Sequence, residues 1–258
     1  MGSASREALA KAGAALSGIM APGTGRELLA AAAQIDAAPA LGSVLGDTST
    51  EGAAKAQLAE RVFGGAKSDT RRVLAAAVSE RWSNPAELVG GVEELGLRAE
   101  AIVNPGLADE LLAAASAIDG SHELELALGS KLSDPAAKTA LVERLFADRL
   151  SESAIGVVGY LVANPRGRRV GAALRESARI AADQGGSELA TVTVAGPLSA
   201  AQQSRLAELL QQSAGRPVRV TTVVDPSLIG GVRVQIGDDV IDGSVSSRLE
   251  DLRQRLAG

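Results

Sequence analysis

Asp238, Asp239 and Asp242 stand close together near the end of the 258-residue chain, in the run DPSLIGGVRVQIGDDVIDGS from Asp225 to Ser244. Carboxylates at that density, with water, are what a magnesium ion takes. The same residues also answer to a different need. Gly237-Asp238-Asp239 falls where a hairpin has to turn, and Asp242-Gly243 is a turn pair. Aspartate tolerates left-handed backbone and satisfies nearby N–H groups, so turn chemistry is the better account and no metal is required. GGAKSD (64–69) has the glycines and the Lys-Ser of a phosphate loop, but that loop needs Gly directly before the lysine and another Gly five residues earlier, after a strand. Here Ala66 precedes Lys67, Arg61 stands five residues before Ala66, and the preceding run reads as helix. An ordinary helix–helix turn fits better. His122 is the only histidine and has no nucleophile placed with it, so it reads as a surface or interface residue. The basic run Arg166-Gly-Arg168-Arg169, with Arg175 and Arg179, reads as a solvated helix end or as a surface for an acidic partner helix. No catalytic residue, metal site or cofactor site emerges from these candidates.

The composition excludes further chemistry. The chain has no cysteine, which removes disulfides, iron–sulfur clusters and thiolate zinc sites. Its aromatic residues are Phe63, Trp82, Phe146 and Tyr160, too few for base stacking, and a net charge of −5 gives no footprint for phosphate backbones. Nucleic acid is therefore not an expected partner. The apolar residues, 46% of the chain, are mostly Ala, Leu and Val, which suits closely packed helices. The longest apolar run, Ile155–Ala163, is far short of the roughly 20 residues of a membrane span. Arg6, Glu7 and Lys11 interrupt any signal-peptide core. The expectation is a soluble cytoplasmic protein.

These residues need elements to hold them, and the elements are duplicated. ELLAAAAQID from Glu27 recurs as ELLAAASAID from Glu110, an offset of 83 residues. Without a gap, LAERVF (58–63) then meets LVERLF (141–146), and 18 of 37 positions from Glu27 to Phe63 are identical. Each copy reads as short helices joined by tight turns. Ser133-Asp134-Pro135 and Asn84-Pro85-Ala86-Glu87 offer N-caps with proline in the first turn, the latter with a capping-box Glu. The join at Asn104-Pro105-Gly106 is abrupt, so the second unit is expected to take a helix from the first. After Gly185-Gly186, a flexible joint, the pattern changes. LATVTVAG alternates as a half-buried strand, Ser199 to Gln202 is a capping box, and VRVTTVV and VRVQI read as further strands. Val245, Leu249, Leu252 and Leu256 stripe a final helix. The expected fold is mainly α: a helical bundle over 1–105, its second copy over 106–186, and a small β-α-β-β-α domain over 187–258.

The run VRVTTVVDPSLIGGVRVQIGDDVIDGSVSSRLEDLRQRL resembles the C-terminal signature of the delta subunit of F-type ATP synthases, the family of the oligomycin-sensitivity-conferring protein. The matching positions are Asp225, Leu228, Gly230, Gly231, Val232, Val234 and Gly237, then Ile241, Asp242, Gly243 and Ser244 before a leucine-spaced helix. VTVAGPLSAAQQSRLAELL is similar to the family's strand-then-helix entry, and the helical part is similar more loosely, through SREALAKAGAAL and NPRGRRVGAAL. The resemblance implies a non-catalytic stator in the peripheral stalk. The helical domain would grip the N-terminal helix of an alpha subunit, and the C-terminal domain would hold the end of the b stalk. Such a subunit sits at the cytoplasmic face of the bacterial cell membrane and meets the membrane only through the b stalk. The N-terminal helix, with Ala8, Leu9, Ala12, Leu16 and Ile19, is the candidate alpha-binding helix. By its residues alone such a stripe is more often simply core, though it can leave a groove for a partner's amphipathic helix. The duplication departs from the usual single helical domain and is similar to long forms from high-GC Gram-positive bacteria. It leaves open which copy grips the alpha helix. The competing reading is an independent helical-repeat protein-binding scaffold.

Overall fold

The computed structural model describes residues 1–18, 20–130, 132–215, 217–225, 228–236 and 239–243. Ile19, Gly237, Asp238, Ser244 and the leucine-striped C-terminal helix fall outside the described residues. By compactness the chain divides into two units, Met1–Ala181 and Ala182–Gly258.

The first unit is helical. Helix α1 (Ser3–Gly13) runs into a 3-10 turn, Ala14–Leu16. Five helices follow: α2 (Thr24–Ala37), α3 (Pro39–Gly46), α4 (Gly52–Val62), α5 (Ser68–Ser79) and α6 (Pro85–Val103). The same series then recurs as α7 (Leu107–Asp119), α8 (His122–Gly129), α9 (Pro135–Phe146), α10 (Glu152–Ala163) and α11 (Val170–Gln184). Helix α8 begins and ends at the 83-residue offset from α3, as the sequence repeat requires.

Local chemistry starts most of these helices. Asn84 accepts from the Glu87 N–H at 2.9 Å with Pro85 in the first turn, and Ser151 accepts from the Ala154 N–H at 3.2 Å. Asp134 and Ser121 cap α9 and α8 in the same way. Each cap satisfies a backbone donor that the helix leaves unpaired. The capping box expected at Asn84 closes only on that side. The Glu87 carboxylate instead accepts from the Gly2 N–H at 3.0 Å, across to the start of α1. There it supplies a negative charge to a helix whose N-cap glycine has no side chain to offer.

A core of small apolar residues binds the bundle. Helices α2 and α6 cross at Gly25 and Gly96, where a side chain at Gly25 would put its Cβ 2.5 Å from the Gly96 carbonyl oxygen. This backbone-to-backbone approach is what an alanine- and glycine-rich composition makes available.

The second unit holds a four-stranded sheet in the order β2-β1-β3-β4. Strands β1 (Glu188–Val194) and β2 (Val218–Val224) are parallel, as helix α12 (Ala200–Ala214) between them allows. Ser199 and Gln202 form both halves of the expected capping box. Ala190, Val192 and Val194 are buried with Leu210 and Val234, while Thr191 and Thr193 take the other face of β1, as the alternation predicts. β3 (Val232–Ile236) runs antiparallel to β1. A fourth strand, β4 (Asp239–Asp242), was not expected: Asp239 pairs with Ile236 and Asp242 with Arg233. Asp239 and Asp242 therefore stand in a ladder rather than in turns. The strand is short, exposed and flanked by aspartates, which disfavour strands by propensity but suit a sheet edge.

Candidate functional site

The α1 residues face inward. Ala8, Ala12 and Leu16 are buried in the helical core, and Leu9 packs partly against it. They are held there because α1 is pinned at its start: the Ser5 hydroxyl accepts from the Ser83 N–H at 2.9 Å, and Glu87 receives the Gly2 N–H. What α1 offers outward is its polar edge. Glu7 and Lys11 pair at 2.8 Å, and Lys11 also approaches Glu80 at 3.7 Å. The shared hydrogen bond lowers the Glu7 carboxyl and raises the Lys11 ammonium. Beside this edge lies a cleft of about 510 Å³ between α1, Thr48 and the α5–α6 turn at Glu80–Ser83.

Lys67 of GGAKSD is committed to a structural bond. Its N–H and ammonium both donate to Glu27, at 2.8 and 2.9 Å, and the Thr70 hydroxyl adds a third bond at 2.6 Å. Burial pulls the Glu27 carboxyl up, but these donors outweigh it and hold the group below the usual range. The repeat keeps the device. Glu110, the equivalent of Glu27, accepts from the Ser151 N–H at 2.7 Å and from the Ser151 hydroxyl and Asn104 amide. In both copies a carboxylate in the first turn of one helix ties down the N-cap backbone of the helix three further on. The basic run after Pro165 also finds partners at home. Arg168 pairs with Glu93 of α6 at 2.8 Å, Arg166 approaches the same carboxylate at 3.6 Å, and Tyr160 donates its hydroxyl to it at 3.0 Å. Arg175 pairs with Asp119, and Arg179 with Glu176. The acidic helix that meets Arg166 and Arg168 is thus the chain's own α6. Sequence reading missed Glu93, which stands beside Glu94 in a helix that also carries Glu87, Arg98 and Glu100, so nothing local singles it out. His122 lies exposed in the first turn of α8.

In the second unit the signature residues frame one corner of the sheet. The Asp225 N–H donates to the Val194 carbonyl at 2.8 Å, continuing the β1–β2 ladder past its end, and the Leu228 N–H donates back to Asp225 at 3.1 Å. Gly230 and Gly231 follow at φ 123° and 85°, a left-handed pair that a side chain would strain. Val234 is buried at the centre of β3, and the Gly243 N–H closes on the Val232 carbonyl at 2.9 Å. Asp225, Leu228, Gly230, Gly231 and Gly243 therefore bring the chain around one end of the strands; Ile229 in the loop before β3, and Val240 and Ile241 on the edge strand β4, are exposed. Among the described residues, no group of three His, Asp or Glu side chains is placed to hold a metal ion, and no single helix is long and apolar enough to cross a membrane.

Comparison with known proteins agrees with the signature. The profile of the ATP synthase delta (OSCP) subunit matches residues 100–256. ATP synthase subunit delta of Leifsonia xyli subsp. xyli is 46% identical, over 100% of both chains. The subunit of that name from Nocardia farcinica is 41% identical over 99% of this chain and 97% of its own. That from Streptomyces coelicolor is 37% identical over 100% and 98%. The long helical repeat is included in these full-length matches. On the profile and the whole-length identity together, the chain belongs to the ATP synthase delta (OSCP) subunit family.

Proposed function

We propose that this chain is a peripheral-stalk subunit of a proton-translocating F-type ATP synthase, linking the catalytic head to the membrane-anchored stalk so that the head does not turn with the rotor. Its part is mechanical, with no active site of its own. The helical unit takes the N-terminal helix of an alpha subunit, and the sheet unit takes the end of a b subunit. The chain works at the cytoplasmic face of the bacterial membrane and meets the membrane only through b. The observation that supports this most is the whole-length identity of 46% to a protein named ATP synthase subunit delta, covering both the helical and the sheet units. Two features of the molecule agree with it: helices tied together by repeated carboxylate clamps, and apolar residues left exposed on the edge strand of the sheet.

On the head side, Ala8 of α1 lines the cleft while Ala12 and Leu16 lie in the core behind it, and the cleft at Glu7, Lys11, Glu80 and Arg81 is the opening proposed for a partner helix. The three-part division, with bundles over 1–105 and 106–186 and a sheet domain from 187, is retained as the organisation of this grip. The test is calorimetric titration of the purified chain with a peptide from the N-terminus of the same organism's alpha subunit. One or two peptides per chain are expected. No heat from a chain whose helical spectrum is intact would overturn the head contact. Purification of the chain without alpha, beta and b subunits would overturn the proposed stalk role.

A further inference from the structure

The two copies of the helical series differ at one place, and the difference opens a groove. In the first copy α3 lies hard against the start of α6. A Cβ on Gly46 would come within 3.0 Å of Pro85, and Gly42, Leu45 and Gly46 are all buried. In the second copy the equivalent glycine is retained, but its neighbour has withdrawn. A Cβ on Gly129 would meet nothing within 4 Å, and in α8 only Leu128 is buried. Glu125 replaces Gly42, and Arg168 replaces Pro85. Between α8 and the start of α11 stands an open cleft of about 850 Å³.

Its lining departs from the first copy in a direction that stability does not explain. Leu126, on the groove wall, is 61% exposed where the first copy has Ser43. Leu132, just beyond α8 and outside the lining of the cleft, is 100% exposed where the first copy has Ser49. An exposed leucine in place of an exposed serine on the wall of a groove gains nothing in a lone chain and suits a wall that something covers. The opposite wall is basic. Arg168 gives part of its charge to Glu93, whereas Arg169 is exposed and, among the described residues, no ion pair engages it, directly before the positive N-terminal end of α11.

We propose that this groove docks an amphipathic helix of another subunit of the same complex, with its apolar side over Leu126 and an acidic residue at Arg169. The proposal rests on the stator reading above. The charge at the α11 end selects an acidic partner and fixes its direction, while Leu126 supplies the apolar contact. The site is separate from the cleft beside α1.

The experiment is hydrogen exchange on the intact purified ATP synthase against the isolated chain, with a photo-crosslinking residue at position 126 of the assembled complex to identify the segment seated there. Exchange over 122–130 and 166–172 is expected to slow on the order of tenfold in the complex, with crosslinks to an acidic helix. The double variant Leu126→Ser, Arg169→Glu is expected to remove that slowing while leaving α1 as protected as before. Both positions are exposed, so the fold is kept. Unchanged exchange at 122–130 in a complex that protects α1 would overturn the groove alone. If no segment of the chain changes exchange on assembly, the stator reading fails with it. Slowing that appears in the isolated chain as its concentration rises would name a second copy as occupant and overturn the proposed partner.

Discussion

Glu93 sits almost out of water, 5% exposed, between two guanidinium groups and a phenol. Taking such charges into the interior is costly unless every lone pair is engaged, and here Arg166, Arg168 and Tyr160 engage them. The consequence falls on Tyr160. Burial pushes its hydroxyl up and the negative Glu93 adds to this, while the two arginines pull weakly the other way. A folded pKa raised above the ordinary value of about 10 means that the unfolded chain releases this proton before the folded one does. The stabilisation is therefore fully present below pH ~10 and is lost as pH climbs toward the folded value. Tyr160 is the only tyrosine, so its tyrosinate absorbance reports one site. That absorbance should rise together with loss of helical signal, and Tyr160→Phe should flatten the alkaline fall in melting temperature. A titration midpoint near the free value with the helices intact would refute this account. Lys55 shows the converse: buried with its ammonium on the Glu80 carbonyl at 3.1 Å, it is pushed down by desolvation.

At the scale of elements, the caps set the boundaries and can be tested singly. Ser199→Ala removes one side of the α12 capping box and should cost about 1 kcal/mol, read as faster amide exchange in the first turn of α12. No change in that turn would mean that the reciprocal Gln202 bond suffices. Such caps were legible in the sequence because donor and acceptor lie within three residues. So was the repeat, since the positions shared by the two copies carry the helix faces. Strand β4 was not legible: four residues flanked by aspartates resemble turns, and only pairing with β3 makes them a strand. The partners of Glu87, read as a capping-box residue, and of Glu93 escaped for another reason. These partners, Gly2 and the Tyr160–Arg168 group, lie 85 and 67–75 residues away, beyond any local pattern. The α1 stripe was visible, but an apolar stripe states only that it is covered, and here the cover is the bundle's own core.

At the scale of the whole molecule, α6 belongs to both copies. Against the first it crosses α2 at Gly25 and Gly96. Against the second it holds the place that α1 holds in the first. Arg166, the repeat equivalent of Ser83, donates to Ala86 of α6 at 2.9 Å, as Ser83 binds Ser5 of α1. Further along, Glu100 of α6 joins the copies directly, accepting from the Arg26 N–H at 2.9 Å and from the Ser153 hydroxyl. A single overpacked residue in the first copy should therefore loosen the second. Gly25→Val would drive a branched side chain into the α6 backbone, with an expected cost of about 3 kcal/mol or more. Hydrogen exchange should then quicken across α7 to α10 as well as α2 to α5. Quickening confined to α2–α5 would show that the copies unfold independently.

The shared helix also governs how the helical unit yields under load. A 19-residue α-helix is a rod of roughly 28 Å, held along its length by its own backbone bonds. A pull entering one copy reaches the other by bending that rod rather than by swivelling a tether. Its compliance is then that of a helix in flexure, stiffened by the Glu93 and Glu100 cross-ties. Lengthening the chain by duplication thus adds reach without adding a hinge between the copies.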